Sequence, residues 1–122
     1  MERRNVQHHY QRLAETLREE IAAMIEGELN DPRIGLATVT EVKLSPDGRS
    51  AHVFISVAGD EKEAEQTLSG LEAARNYIRH ELLARLRIRH APDLFFQLDR
   101  SQQYETRIDE LLRRVKKKRS KQ

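Results

Sequence analysis

The chain has 122 residues, 38% of them hydrophobic and 34% charged, with a net charge of +2 and no cysteine. That is one domain's worth of core. It excludes disulfides, thiolate metal sites and a cysteine nucleophile, and no run reaches the ~18 apolar residues of a membrane span. The opening MERRNVQHHY lacks the apolar block of a secretory signal, so a cytoplasmic protein without membrane association is expected.

The elements follow in chain order. Val6, Tyr10, Leu13, Leu17, Ile21, Met24 and Ile25 recur at three- and four-residue spacing, which predicts a helix with one buried face. Gly27 and Asn30-Asp31-Pro32 end it. Two strands come next, Leu36 to Leu44 and Ala51 to Val57. The second alternates cleanly through Ala51, Val53, Ile55 and Val57. Ser45-Pro46-Asp47-Gly48 between them is a hairpin signal, because proline presets φ and glycine accepts positive φ.

Asp60 is a candidate N-cap for a long helical stretch from Glu61 to Arg89, closed by Ala91-Pro92. DLFFQLD predicts a third strand with Leu94, Phe96 and Leu98 on one side. Tyr104 to Val115 is weakly helical through Ile108, Leu111 and Leu112, and fades into the tail. The order α-β-β-α-β argues for a two-layer α+β sandwich with helices on one face of a three-stranded sheet. The long helix would serve as the crossover between the second and third strands.

The long helix carries an anomaly. At about 100° per residue, Ala64, Leu68, Leu71, Ile78, Leu82 and Leu86 form one stripe, and Arg75 falls inside it. Burying an unpaired guanidinium is costly. Either the arginine snorkels outward along its stem, or the helix breaks near Asn76, a residue tolerant of left-handed geometry. Arg75, Arg79, Arg85, Arg87 and Arg89 cluster here, with His80 and His90 beside them, and arginine forks suit phosphate. Arg33 and Lys43 are expected to extend the patch. The decapeptide RRVKKKRSKQ holds seven cations and no anion, a composition suited to nucleic acid or an acidic surface. A merely solvated cationic face and tail is the plainer alternative.

Catalytic patterns fail. His80-Glu81-Leu82-Leu83-Ala84 begins like a zinc-protease helix, but Ala84 stands where the second histidine is required. The five glycines are scattered, and no serine lies in a nucleophile elbow. Neither enzyme activity, cofactor nor metal is expected.

The segments ELNDPRIGLATVTEVKLSPDGRSAHVFISV and LEAARNYIRHELLARLRIRHAPDLFFQLDRS resemble the ribosome-binding factor A family. Asp31-Pro32-Arg33, Thr38-Val39-Thr40, Tyr77-Ile78-Arg79 and the run from Arg87-Ile88-Arg89 to Pro92 stand in the family's order. The resemblance implies a type II KH-like fold, α-β-β-α-kink-α-β, as residues 1–112, and the charge composition marks 113–122 as a mobile basic tail. It places the kink at Ala74-Arg75-Asn76, with Asn76 where the family has glycine. It further implies a monomeric, non-catalytic RNA-binding module that binds the free small (30S) ribosomal subunit. The contacts would be with rRNA near the neck and the 5′-terminal helix. The module would support late maturation and 5′-end rRNA processing, matter most in the cold, and leave with help from a ribosome-associated GTPase.

On this reading Arg75, Arg79, Arg85, Arg87 and Arg89 contact phosphates around the kink, aided by Arg33 and Lys43. Lys116, Lys117, Lys118 and Arg119 of the tail add long-range attraction. A protein–protein adaptor that docks its basic helix on an acidic partner is the rival reading, and a DNA-binding regulator a further one. With only three Tyr and three Phe, extensive base stacking is not expected.

Overall fold

The computed structural model describes residues 2–120; the side chains at 2–8, 102–105 and 117–120 lie outside the described residues, and with them the expectations for Val6 and Tyr104. Helix α1 (Glu2–Ala23) continues into one π-helical turn, Met24–Glu28, closed by a 2.8 Å bond from the Leu29 N–H to the Met24 carbonyl. Strands β1 (Ala37–Leu44) and β2 (Ser50–Val57) form the expected hairpin. Helix α2 spans Glu61–Leu86, strand β3 Asp93–Leu98 and helix α3 Ser101–Ser120.

The sheet order is β1-β2-β3, with β1 and β2 antiparallel and β2 and β3 parallel. A parallel pair needs a crossover, and α2 supplies it. Alternation then divides the sheet. Ala51, Val53 and Ile55 of β2, with Leu94 and Phe96 of β3, face inward and are buried. Leu17, Ile21, Met24 and Ile25 from α1 and its π-helical turn, with Leu71, Ile78 and Leu82 from α2, complete the core on that side.

β1 does not alternate strictly. Its buried valines, Val39 and Val42, are three residues apart, and a register shift between Val39 and Glu41 reconciles them. The extra residue of this bulge lets both valines reach one face. The hairpin turn is held by the Gly48 N–H bonded to the Ser45 carbonyl at 2.9 Å, with Gly48 at φ 73°. Asp47 accepts from the Ser45 hydroxyl at 2.6 Å and the Arg49 N–H at 3.0 Å.

Asp60 caps α2 as expected, accepting from the Glu63 N–H at 2.8 Å. The segment between α1 and β1 lies tightly on α2. The Gly35 N–H donates to the fully buried Thr67 hydroxyl at 3.2 Å, and a Cβ at Gly70 would stand 2.8 Å from Ile34 Cγ1.

One element departs from the expected order. α2 runs without interruption through Ala74-Arg75-Asn76, and Asn76 is not at positive φ. The physical reason lies in the arginine's escape route. The Arg75 side chain is 35% exposed and its tip pairs with Glu72 one turn back, so the guanidinium leaves the core by snorkelling. Its Nε is buried without a partner, which marks where the stem crosses the apolar stripe. Asparagine costs well under about 1 kcal/mol inside a helix, too little to force a break that no buried charge demands.

α2 ends earlier than the expected Arg89. Arg87 takes left-handed geometry, φ 52° and ψ 40°, and turns the chain toward β3. α3 reaches Ser120, so helix continues where the periodicity faded. Its start is tied down: Asp99 accepts from the Thr40 hydroxyl at 2.6 Å and the Ser101 N–H at 2.9 Å, and Arg100 pairs with Glu61. Residues 106–116 of α3 are exposed, including Ile108, Leu111, Leu112 and Val115.

Candidate nucleic-acid interface

The arginines grouped in sequence separate by task in space. Arg79 reaches off α2 to the chain entering β3. Its Nε donates to the Pro92 carbonyl and its Nη2 to the Ala91 carbonyl, both at 3.2 Å, with Asp93 Oδ1 at 3.4 Å. Arg85 points to the other side, into carboxylates. Glu28 is bonded at 2.5 and 3.2 Å, with Glu20 at 3.5 Å and Glu81 at 3.8 Å. The Arg85 guanidinium holds the Glu28 carboxyl below its ordinary range. Arg33 is folded onto Asp31 by two side-chain bonds, 2.7 and 3.1 Å, and these with the Arg33 N–H keep Asp31 ionised to lower pH.

Each of these cations already has an anion or carbonyl partner. Phosphate would have to compete for it, and an exposed pair yields more easily than a multidentate one. Among the described residues, Arg87 and Arg89 have no such partner, and both are exposed.

Arg89 lies in a groove. A cavity of about 280 Å³ is lined by Asn76, Arg79, His80, Leu83, Arg89, His90 and Ala91. A second, of about 390 Å³, shares His90 and Ala91 and extends along Pro92 and Asp93 to Gly48 and Arg49. The strand register makes this junction. Ser50 pairs with Asp93, and the Asp93 N–H donates to the Arg49 carbonyl at 2.8 Å. Arg49 therefore stands beside a segment more than 40 residues downstream in sequence. The acid in the groove, Asp93, is the one that Arg79 faces.

The groove brings together Asn76, Arg79 and Arg89 from the expected set. It does not include Ala74, which is half-buried and packs against the core, nor Arg75, which pairs within α2. Arg33 packs near Gly70, nine positions along α2 from Arg79, or about 13 Å. Lys43 is on the sheet face away from the helices, its Nζ 5.4 Å from the Phe54 ring centroid and 4.0 Å from Glu41. Lys116 is exposed on α3; the side chains of Lys117, Lys118 and Arg119 lie outside the described residues. Sequence reasoning missed Arg49. Its signal would have been the parallel register, which a single sequence does not display.

Among the described residues, no group of three His, Cys, Asp or Glu could hold a metal ion, and no helix is long and apolar enough to cross a membrane. An antiparallel hairpin, a helical crossover to a parallel third strand and two helices on one face define a KH-like α+β module with a basic groove at one end. The family model described as ribosome-binding factor A matches residues 9–112. The ribosome-binding factor A of Koribacter versatilis is 56% identical over 118 residues, covering 97% of this chain and 96% of its own.

The crystal structure of ribosome-binding factor A from Thermus thermophilus superimposes with a TM-score of 0.66 at 32% identity, covering 73% of this chain and 93% of that one. A homology model of the Thermus thermophilus factor, fitted into the cryo-EM map of a 30S complex, gives 0.59 at 34% identity, covering 70% and 90%. The chain belongs to the ribosome-binding factor A family.

Proposed function

We propose that this chain binds the small ribosomal subunit through its rRNA, as a non-catalytic factor in late maturation. The observation that carries this reading is the groove of Arg49, Arg89, His80 and His90 in a family with a relative fitted to a 30S complex. Arg49 and Arg89 hold phosphates, while Arg79 keeps the groove's floor in place. The basic C-terminal residues 113–122 add attraction at longer range. The subunit contact lies near the neck and the 5′-terminal helix of the rRNA, favours 5′-end processing and growth in the cold, and ends with a ribosome-associated GTPase. The factor acts in the cytoplasm as a monomer, by occupancy, reading shape and charge more than sequence.

The test is co-sedimentation with purified small subunits, against mature ribosomes, across a salt series. The Arg49→Ala/Arg89→Ala pair is expected to weaken binding and flatten the salt slope by about 1.4–1.8, because each lost phosphate contact removes roughly 0.7–0.9. An unchanged slope would refute the groove. A protein adaptor is the second reading, favoured by the exposed Ile108, Leu111, Leu112 and Val115 stripe of α3. Nuclease treatment of lysate separates the two: an adaptor keeps its partner, and an RNA binder loses it.

A further inference from the structure

The sheet face turned away from α1 and α2 is built from a narrow set of side chains. Its large apolar groups are Phe54 and Phe95, and among the described residues it shows no aliphatic patch of the kind that a docking protein helix fills. The register fixes two rows. Lys43, His52 and Phe95 stand side by side, and Glu41, Phe54 and Gln97 form the next row, about 7 Å along the strands. The His52 and Phe95 rings are stacked, with centroids 5.3 Å apart and planes at 22°. Phe95 is nonetheless 44% exposed, so one ring face remains open.

Ring faces interleaved with an amide, a carboxylate and a cation are what an unpaired base requires. The ring stacks on its plane, and the polar groups meet its edge. The face also adjoins the groove described above. Arg49 directly precedes β2, and Asp93 sits two residues before Phe95, so the groove opens about 7 Å from the stacked pair.

We propose that this open face is a stacking platform for one or two unpaired bases of single-stranded RNA, with Phe95 and His52 as the stacking pair. Lys43 offers charge to the flanking phosphate, and Gln97 and Glu41 meet base edges. The proposal rests on the RNA-binding reading. It also fits the low aromatic content, since two rings serve a base or two and not a long track.

The chain has no tryptophan, so Phe95→Trp places a single reporter at the site. Hexaadenylate and hexauridylate are expected to quench its emission saturably, while inorganic polyphosphate leaves it unchanged. Phe95→Leu, which keeps apolar surface and removes the ring, is expected to bind labelled hexaadenylate roughly tenfold more weakly. Its melting temperature should stay at the wild-type value, because the position is exposed. Arg89→Ala is expected to weaken single strands and polyphosphate alike.

Equal quenching by polyphosphate, or equal affinity of Phe95→Leu and wild type, would overturn the platform. So would an emission shift that grows with protein concentration without RNA, which means a second copy occupies the face. A blue-shifted emission that Leu112→Glu turns red also overturns it, with α3 as the occupant. A silent reporter in a chain that still co-sediments with small subunits defeats the platform alone. Loss of co-sedimentation defeats the reading beneath it.

Discussion

Two glycines on this chain separate local propensity from packing. A Cβ at Gly27 would meet nothing within 4 Å, whereas one at Gly70 would stand 2.8 Å from Ile34 Cγ1 and 3.3 Å from Arg33 Cβ. Alanine gains about 1 kcal/mol over glycine in a helix interior, and overpacking costs about 1–3 kcal/mol. Gly27→Ala is therefore expected to stabilise the chain by about 0.5–1 kcal/mol, and Gly70→Ala to destabilise it by about 1 kcal/mol. Ile34 is β-branched and cannot swing aside cheaply. Urea denaturation of the two variants checks the pair, and the opposite signs are the diagnostic outcome. At the same scale, Arg87 shows how a side chain can be read wrongly from sequence. Its position suggested the last turn of a helix, and its backbone is instead the left-handed cap that re-aims the chain.

At the scale of elements, α2 is held by its ends and by one staple. Asp60 satisfies an N-terminal amide, and Arg79 binds the carbonyls of Ala91 and Pro92 just before β3. Those carbonyls precede the strand and lie beside buried Leu94, so losing their donor leaves them poorly satisfied. Arg79→Ala is expected to cost about 1–2 kcal/mol in stability, and Arg79→Lys to recover only part, since an ammonium lacks the planar fork. Thermal melts would show it; an Arg79→Ala chain as stable as wild type would place the residue in RNA binding alone. Replacing Arg79 or Arg85 would accordingly mix stability with affinity, which is why Arg49 and Arg89 are the better probes of the groove.

At the scale of the molecule, several carboxylates are held below their ordinary range by fixed donors. Glu28 has Arg85, Asp31 has Arg33, Asp47 has the Ser45 hydroxyl and Arg49 N–H, and Asp99 has Thr40 and Ser101. A depressed folded-state pKa means stability present above the unfolded value and lost as pH falls through the folded one. The melting temperature is expected to hold from pH 7 to about 5 and to fall below about 4. Asp99→Asn keeps the acceptor for the Ser101 N–H, loses the one for the Thr40 hydroxyl and removes the titration, so its melting temperature should start lower at pH 7 and fall less steeply in acid. Melts at a series of pH values measure both slopes.

Much of this molecule was legible from the chain alone. Element order, the hairpin and the Asp60 cap follow from periodicity and turn chemistry, which are local. The β1 bulge does not, because Val39 and Val42 break the period of two and only the partner strand reveals the extra residue. The interruption expected at Ala74-Arg75-Asn76 turned on whether Arg75 could escape the core, and Glu72 one turn away decided it. The groove was half visible. Arg89, His80 and His90 cluster in sequence, but Arg49 joins them only through the parallel pairing of β2 and β3.

The sequence by itself determined the order of helices and strands, the hairpin turn, the absence of cysteine chemistry, the charge asymmetry and the family. These depend on residue type and spacing along the chain. Only the tertiary structure decided which arginines are spoken for. Arg79 and Arg85 lie close together in sequence, yet one faces carbonyls and the other carboxylates. A cation's availability depends on what the fold places within hydrogen-bond reach, and those partners come from α1 and its π-helical turn, from α2 itself and from the chain entering β3.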